Sequence, residues 1–171
     1  MVSFIEKNGL FLRPRLKRLQ DTQTEIYRQL QLLIPDQIAH YDSFQSQVSG
    51  SPLLRMDILE RHPYTHFLRL TYQFKNDAKK EIAPDAHIRI YNDARIAEVT
   101  SFNPDQGFKR LAHPAWPQLS IFQRCWRLNQ ALDKWLAYLL HQGHSFSSMR
   151  PAKDKISGDQ AVPLRQMASS S

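Results

Sequence analysis

The sequence contains a single cysteine, Cys125, so neither an intramolecular disulfide nor a zinc site built from several cysteines can form. It contains five glycines, which argues against a glycine-rich loop that cradles phosphate. The nucleotide-binding, metalloprotease and hydrolase motifs GxxxxGK[ST], GxGxxG, HExxH and GxSxG do not occur. These absences favour a non-enzymatic protein without excluding an enzyme, and we predict no cofactor and assign no catalytic residue.

Long apolar runs are also lacking, since none approaches the roughly 18 residues that a membrane span needs. The first twelve residues include Glu6, Lys7, Asn8 and Gly9, and they lack the basic region and unbroken apolar stretch of a signal peptide. A single cysteine suits a reducing compartment. We therefore expect a cytoplasmic protein with no membrane partner.

The chain has 171 residues, of which 42% are hydrophobic and 23% charged, as is ordinary for one folded domain. We assign residues 1–149 to a single α+β domain. Residues 150–171 contain no aromatic side chain and bury too little apolar surface to offset their ordering entropy, so we predict a disordered tail. The net charge of +7 permits nucleic acid, an anionic metabolite or an acidic protein as partner and selects none of them.

Two segments carry the spacing of amphipathic helices. The first runs from Pro14 to Leu33, and its apolar stripe includes Leu16, Ile26 and Leu30. The second runs from about 119 to 142 and is followed by Gly143, a natural left-handed stop. Cys125 falls on the stripe of the second helix, where a buried structural thiol is expected rather than a nucleophile.

Strict alternation between these helices predicts antiparallel strands around 54–59, 66–74 and 86–99. The last of these folds back at Asn92-Asp93, residues that tolerate the positive φ of a tight turn. A turn of two or four residues makes Arg89 and Glu98 cross-strand neighbours, whereas a turn of three residues does not. The order predicts an α+β fold, with an antiparallel sheet of four to five strands and both helices on one face.

By the same alternation, the opposite sheet face is rich in arginine and aromatic side chains, namely Arg55, Asp57, Arg61, Phe67, Arg69, Thr71, His87, Arg89, Tyr91 and Glu98. Guanidinium groups grip phosphate or carboxylate in pairs of hydrogen bonds, and rings stack on bases. The alternative is a solvated face on which Asp57 and Glu98 neutralise two arginines. The candidate ligand-binding residues are Arg55, Arg69, His87, Arg89, Tyr91, Asp93, Glu98 and Asn129.

Asn129 enters this set because it lies on the apolar stripe of the second helix, where a buried amide must find partners. The partner is either a loop backbone or a small molecule in a pocket. His62 and His66 are spaced for a shared metal on a helix, but Pro63 opposes a helix there and no third ligand is near in sequence. We therefore predict no metal site.

Residues 87–99 read HIRIYNDARIAEV, and residues 128–136 read LNQALDKWL. The first stretch resembles the strand–turn–strand pattern VRLYHDAxxAEV, and the second the helix pattern INxFLxxWL, of a bacterial family of unknown function, the YqiB-like proteins. The resemblance spans about 11–143. It departs at Asn92, where the family has histidine, and at 118–124, where a charged stretch is expected. It implies a bacterial cytoplasmic protein, supplies no activity, and matches Arg89, Tyr91, Asp93, Glu98, Asn129 and Trp135.

Three functions are compatible with these patterns. The first is a non-enzymatic binding or accessory module whose arginine-rich sheet face meets an anionic ligand or an acidic protein. The second is a single-stranded nucleic-acid-binding protein that uses Phe67, Tyr91 and the basic start of the first helix. The third is an enzyme on a phosphorylated or nucleotide-like small molecule, with Glu98 or Asp93 as base and Arg89 as anchor.

Overall fold

The chain forms two helices and a six-stranded antiparallel sheet in a computed structural model, which describes residues 4–74, 81–103 and 121–152, and side chains within 14–74, 84–102 and 121–152. The helices are α1 (Phe4–Leu33) and α2 (Ile121–His141), with a short 3-10 helix at Asp36–Ala39. The strands are β1 (Ser43–Ser46), β2 (Leu53–Arg61), β3 (Thr65–Phe74), β4 (Glu81–Tyr91), β5 (Ile96–Asn103) and β6 (Met149–Pro151). Their order in the sheet is β5-β4-β3-β2-β1-β6.

The core lies between one face of the sheet and the two helices, as the α+β prediction requires. Strands β2 to β5 contribute alternate buried residues, among them Met56, Leu70, Ile88 and Ala97. The helices contribute Ile26, Leu30 and Leu33 from α1 and Leu132, Leu136 and Leu139 from α2 to the same cluster. Period-two alternation therefore assigned the sheet faces correctly, because successive side chains of a strand point to opposite sides.

The β4–β5 hairpin closes with four residues, 92–95, since Tyr91 pairs with Ile96 and Arg89 with Glu98. The prediction that Arg89 and Glu98 are neighbours is confirmed. The left-handed residue, however, is Arg95 at φ 53°, and neither Asn92 nor Asp93 has positive φ. Longer hairpin loops place such a residue after the central turn and not within it.

The sheet has more strands than predicted, because β1 and β6 were missed. Each has only three or four residues and mixes polar with apolar side chains, so neither shows a measurable period. Arg150 and Pro151 lie in β6, paired with β1, and Ala152 donates its N–H to the Ser43 carbonyl oxygen at 2.9 Å. The first residues of the predicted tail thus belong to the sheet, and 153–171 lie outside the described residues.

The helices differ from prediction at their N-terminal halves. Helix α1 begins at Phe4, so Pro14 lies inside it, and Leu16 is 48% exposed. In α2 the buried positions begin at Asn129, and Cys125 is exposed. The expectation of a buried thiol was wrong because the first two turns of α2 precede the stretch that packs on the core. Gly143, at φ 96°, is the predicted left-handed stop.

Within the described part of the chain, no helix is both long and apolar enough to cross a membrane.

Candidate functional site

The outward side chains of adjacent strands form one continuous surface, which we call the polar face. Because β2, β3, β4 and β5 are neighbours, its residues stand in rows across the sheet. One row contains Asp57, Arg69 and His87, a second contains Arg55, Thr71 and Asp85, and a third contains Phe67, Arg89 and Glu98. The first two rows continue into β1 through Ser43 and Gln45, and Arg150 of β6 extends the second.

Two of the arginines proposed as anion ligands hold carboxylates of the protein itself. Arg55 Nε donates to Asp57 Oδ1 at 2.8 Å, and Ser43 Oγ donates to the same oxygen at 2.6 Å. Arg69 grips Asp85 in a bidentate pair, with N···O distances of 2.8 and 2.6 Å. These bonds to Asp85 raise the pKa of Arg69. Both guanidinium groups are therefore occupied by hydrogen bonds to carboxylates of the sheet.

Arg61 belongs to the rim of the sheet and not to the polar face. A β-bulge between Ile58 and Glu60 shifts the register just before it. Its guanidinium donates to the carbonyl oxygens of Ile38 and Tyr41 and pairs with Asp42. Arg61 thus ties the end of β2 to the chain that precedes β1.

Arg89 stands apart from the other arginines. Its guanidinium carbon lies 5.5 Å from the centre of the Phe67 ring, and the residue is exposed. No described carboxylate lies within salt-bridge distance of it. Glu98, its cross-strand neighbour, instead accepts the Tyr91 hydroxyl at 2.9 Å. The expectation that Glu98 neutralises an arginine was therefore wrong, while the corresponding expectation for Asp57 was right.

His87 completes the group around Arg89. Its ring centre lies 6.0 Å from that of Phe67, and Nδ1 lies 3.0 Å from Ser101 Oγ and 3.8 Å from Asp85 Oδ1. Phe67 is thus flanked by a guanidinium and an imidazole. We call the set Phe67, His87, Arg89, Tyr91 and Glu98 the Arg89 cluster, and it is the candidate functional site.

The two remaining candidates, Asp93 and Asn129, lie elsewhere. Asp93 is exposed in the hairpin turn beyond the end of the polar face. Asn129 lies behind the sheet and is 2% exposed. Its Oδ1 accepts the Val99 N–H at 3.3 Å, and its Nδ2 donates to the Cys125 carbonyl oxygen at 2.9 Å. Its main partner is a strand backbone, so Asn129 clamps α2 to β5 and is not part of the cluster.

The two histidines considered as metal ligands sit at the turn between β2 and β3. His66 Nδ1 lies 3.1 Å from Asn92 Nδ2, and His62 Nε2 lies 3.3 Å from Glu60 Oε2. Burial, with the nearby charge of Arg61, lowers the pKa of His66. The described residues contain no group of three or more His, Cys, Asp and Glu side chains placed to hold a metal ion.

The chain is similar in sequence to known proteins. Residues 29–145, more than half of the chain, match the family "Protein of unknown function (DUF1249)". The chain is also 30% identical over 132 residues to "Uncharacterized protein YqiB" of Escherichia coli K12, with 76% of this chain and 89% of that protein covered. The YqiB proteins of the O6:H1 and O157:H7 strains give the same values. No solved structure matches the chain significantly.

The chain belongs to the DUF1249 family. This membership confirms the resemblance to YqiB-like proteins and, like it, supplies no activity. The DUF1249 match begins in the last turns of α1 and covers β1 to β5 and α2.

The six polar and aromatic positions that match the YqiB-like patterns divide between surface and core in the fold of this DUF1249 protein. Arg89, Tyr91 and Glu98 belong to the Arg89 cluster, and Asp93 lies in the turn beside it. Asn129 and Trp135 are buried on α2, and the Trp135 ring packs 5.8 Å from both Tyr72 and Phe102. One set therefore shapes a surface, whereas the other fastens α2 to the sheet.

Sequence reasoning missed four residues of the polar face. Asp85, the partner of Arg69, was detectable, because it lies two residues before His87 and period two places both on one face. Ser43, Gln45 and Arg150 lie in the short strands β1 and β6, for which no sequence signal was strong enough.

Proposed function

We propose that this protein is a binding module that takes up an anionic group of a ligand or an acidic partner protein at the Arg89 cluster. The observation that carries the proposal is that Arg89 is exposed with no described carboxylate partner, whereas Arg55 and Arg69 are paired. A guanidinium already oriented over a ring needs little further ordering to accept a phosphate or carboxylate.

The charge of the polar face favours a single anionic group over a polyanion. Its three central rows contain three arginines, Arg55, Arg69 and Arg89, and three carboxylates, Asp57, Asp85 and Glu98, so their formal charges balance. A polyanion is bound by several unpaired cations of the protein. These cations displace the counterions of the polyanion, and the release of the counterions supplies the free energy of binding. Single-stranded nucleic acid therefore has less support, although Phe67 and Tyr91 provide rings for stacking.

An enzyme that uses Glu98 or Asp93 as base has the least support. Glu98 already accepts a hydrogen bond from Tyr91, and Asp93 projects from the turn. The bacterial family and the single cysteine support the cytoplasm as the setting in which this binding takes place.

The test is a thermal-shift screen of the full chain against nucleoside monophosphates, sugar phosphates, a poly-glutamate peptide and short single-stranded DNA and RNA. A ligand at 100 times its dissociation constant raises the unfolding free energy by about 2.7 kcal/mol, which is readily measured. Each compound that shifts the midpoint is then titrated against wild type, Arg89→Ala and Arg124→Ala. Arg124 is a suitable control because it is an exposed arginine on α2.

We expect Arg89→Ala to weaken binding at least tenfold and Arg124→Ala to leave it unchanged. Equal binding by both variants would contradict the proposal, as would the absence of any shift across the panel. Binding only to oligonucleotides, lost steeply as salt rises, would replace it with the nucleic-acid function.

A further inference from the structure

A second polar cluster lies behind the sheet, where the chain leaves α2. His144 is 1% exposed, and both nitrogens of its ring contact serine hydroxyls. Nδ1 lies 2.8 Å from Ser46 Oγ, at the end of β1, and Nε2 lies 3.1 Å from Ser51 Oγ, in the loop between β1 and β2. The fold thus brings serine hydroxyls, which are common catalytic nucleophiles, within hydrogen-bonding distance of an imidazole, which can act as a base.

The hydrogen bonds around Ser46 determine which nitrogen of His144 carries the proton. Ser148 Oγ donates to the Ser145 carbonyl oxygen at 2.9 Å, which uses its one hydrogen. Ser46, 2.6 Å from Ser148, must then be the donor of that pair. With its own hydrogen used, Ser46 can only accept from His144, so the imidazole carries its proton on Nδ1.

Nε2 of His144 is therefore left with a lone pair that faces Ser51. Burial lowers the pKa of His144, which keeps the imidazole neutral at pH 7. The Ser51 hydroxyl donates to Nε2, and the Tyr72 hydroxyl, 3.2 Å away, donates to Ser51 Oγ. One directed chain runs from Tyr72 through Ser51, His144 and Ser46 to Ser148.

Ser51 is placed to react with a ligand from outside. It is half-buried, in contrast to His144, and it follows Gly50, whose φ of 77° turns the loop. Beside it, Tyr72 begins an aromatic wall, with Trp135 and Phe74 rings at 5.8 and 6.2 Å from the Tyr72 ring. Tyr72 and Trp135 are buried and Phe74 is half-buried, so an apolar group next to a bond under attack by Ser51 would meet this wall at the Phe74 ring.

We propose that Ser51 is a nucleophile activated by His144 and that this site transfers the acyl group of esters whose acyl part is apolar. The arrangement has the three parts that such chemistry requires, with Ser51 as nucleophile, His144 as base and Ser46 as the positioning residue that holds the imidazole. The Tyr72 hydroxyl, 3.2 Å from Ser51 Oγ, orients the Ser51 side chain toward His144.

The reaction balances without a cofactor. Ser51 Oγ forms a bond to the ester carbonyl carbon while its proton passes to His144 Nε2. The ester C–O bond then breaks, and the departing alkoxide takes that proton and leaves as an alcohol. Water attacks the acyl-serine and gives its proton to Nε2, the bond from Ser51 Oγ to the acyl carbon breaks, and Nε2 returns the proton to Oγ.

This site is independent of the Arg89 cluster. Ser46 pairs with Leu54 on the core face of the sheet, whereas Arg89 lies on the polar face. Failure of one proposal therefore leaves the other untouched.

The first experiment treats the folded full chain with an alkyl fluorophosphonate and locates the adduct by mass spectrometry. We expect one adduct, on Ser51, formed as fluoride leaves phosphorus. Ser51→Ala should abolish labelling, whereas Ser49→Ala should not, since Ser49 is an exposed serine of the same loop. No adduct on the wild type, or an adduct that persists in Ser51→Ala, overturns the proposal.

The second experiment separates catalysis from a purely structural network. We expect Ser46→Ala to slow labelling about tenfold or more while circular dichroism shows a folded chain, because the imidazole loses its orientation. The labelling rate of the wild type should fall only below pH 6.5, where His144 becomes protonated. An unchanged rate in folded Ser46→Ala would contradict the role of Ser46.

Turnover of p-nitrophenyl esters tests the substrate class. We expect the butyrate to be hydrolysed faster than the acetate, Ser51→Ala to abolish hydrolysis, and Ser49→Ala to match the wild type. Faster hydrolysis of the acetate overturns the preference for an apolar acyl part, and unchanged hydrolysis in Ser51→Ala overturns the assignment of Ser51 as nucleophile.

Discussion

Polar side chains on the two sides of this sheet meet different constraints. On the outer side Arg69 and Asp85 are 32% and 19% exposed and can exchange their hydrogen bonds for water. Behind the sheet His144 and Asn129 are nearly enclosed, so every nitrogen or oxygen without a protein partner stays unsatisfied. The comparison teaches that a polar group enclosed behind the sheet contributes more to stability than a paired group on the outer side, where Arg89 is left available to a ligand.

The largest expected effect is loss of the Asn129 clamp. We expect Asn129→Ala to lower the unfolding free energy by about 1–3 kcal/mol, because the buried Val99 N–H loses its acceptor. The matched exposed change, Asp93→Ala, should stay within about 0.5 kcal/mol. Chemical denaturation measures both, and equal effects would contradict the proposed difference between the two sides.

Stability should also fall as the solution is acidified through pH 6.5. Burial lowers the pKa of His144 and of His66 in the folded chain, so the unfolded chain binds protons first. Each unit by which folding lowers a pKa changes the free energy of unfolding by about 1.4 kcal/mol. Thermal unfolding at pH 7.5 and 5.5 measures the slope.

The His144→Asn variant should have a shallower slope than the wild type. A wild-type stability that is the same at both pH values would show that His144 is not held neutral by the fold.

A smaller effect is expected from the paired arginine of the polar face. In a double-mutant cycle, Arg69→Ala and Asp85→Ala should couple by about 0.5–1 kcal/mol, since the bidentate pair is well formed but partly exposed to solvent. The cycle for Arg89 and Glu98 should give no coupling, although the two face each other across strands. Equal coupling in both cycles would remove the basis for singling out Arg89.

An effect on stability of similar size is expected for Arg89 over Phe67. Such a cation–π contact at an exposed site contributes about 0.5–1 kcal/mol, so Arg89→Ala should shift the unfolding midpoint only slightly. Replacement by Lys should keep most of this stability while weakening the binding of an anion, because Lys lacks the planar fork. A large loss of stability in Arg89→Ala would mark Arg89 as a structural residue.

Much of the fold was predictable from local pattern. The alternation around Met56, Leu70 and Ile88 identified the four long strands, and the cross-strand pair of Arg89 and Glu98 was expected for a turn of two or four residues, of which the structure has the second. The short strands and the start of α1 were not predictable, because three or four residues carry no period and Pro14 resembles a helix start. The exposure of Cys125 depended on how far α2 extends beyond the core.

The sequence by itself determined which side of the sheet most strand residues face, because the period of two is a property of the extended backbone; the exception is Arg61, which follows a β-bulge. Only the tertiary structure decided which polar groups meet. Arg69 takes Asp85, Arg89 has no partner among the described carboxylates, and Ser46 reaches His144 across 98 positions of the chain. Hydrogen bonds act over about 3 Å, so partners distant in sequence are chosen by strand order and helix docking, which no local pattern encodes.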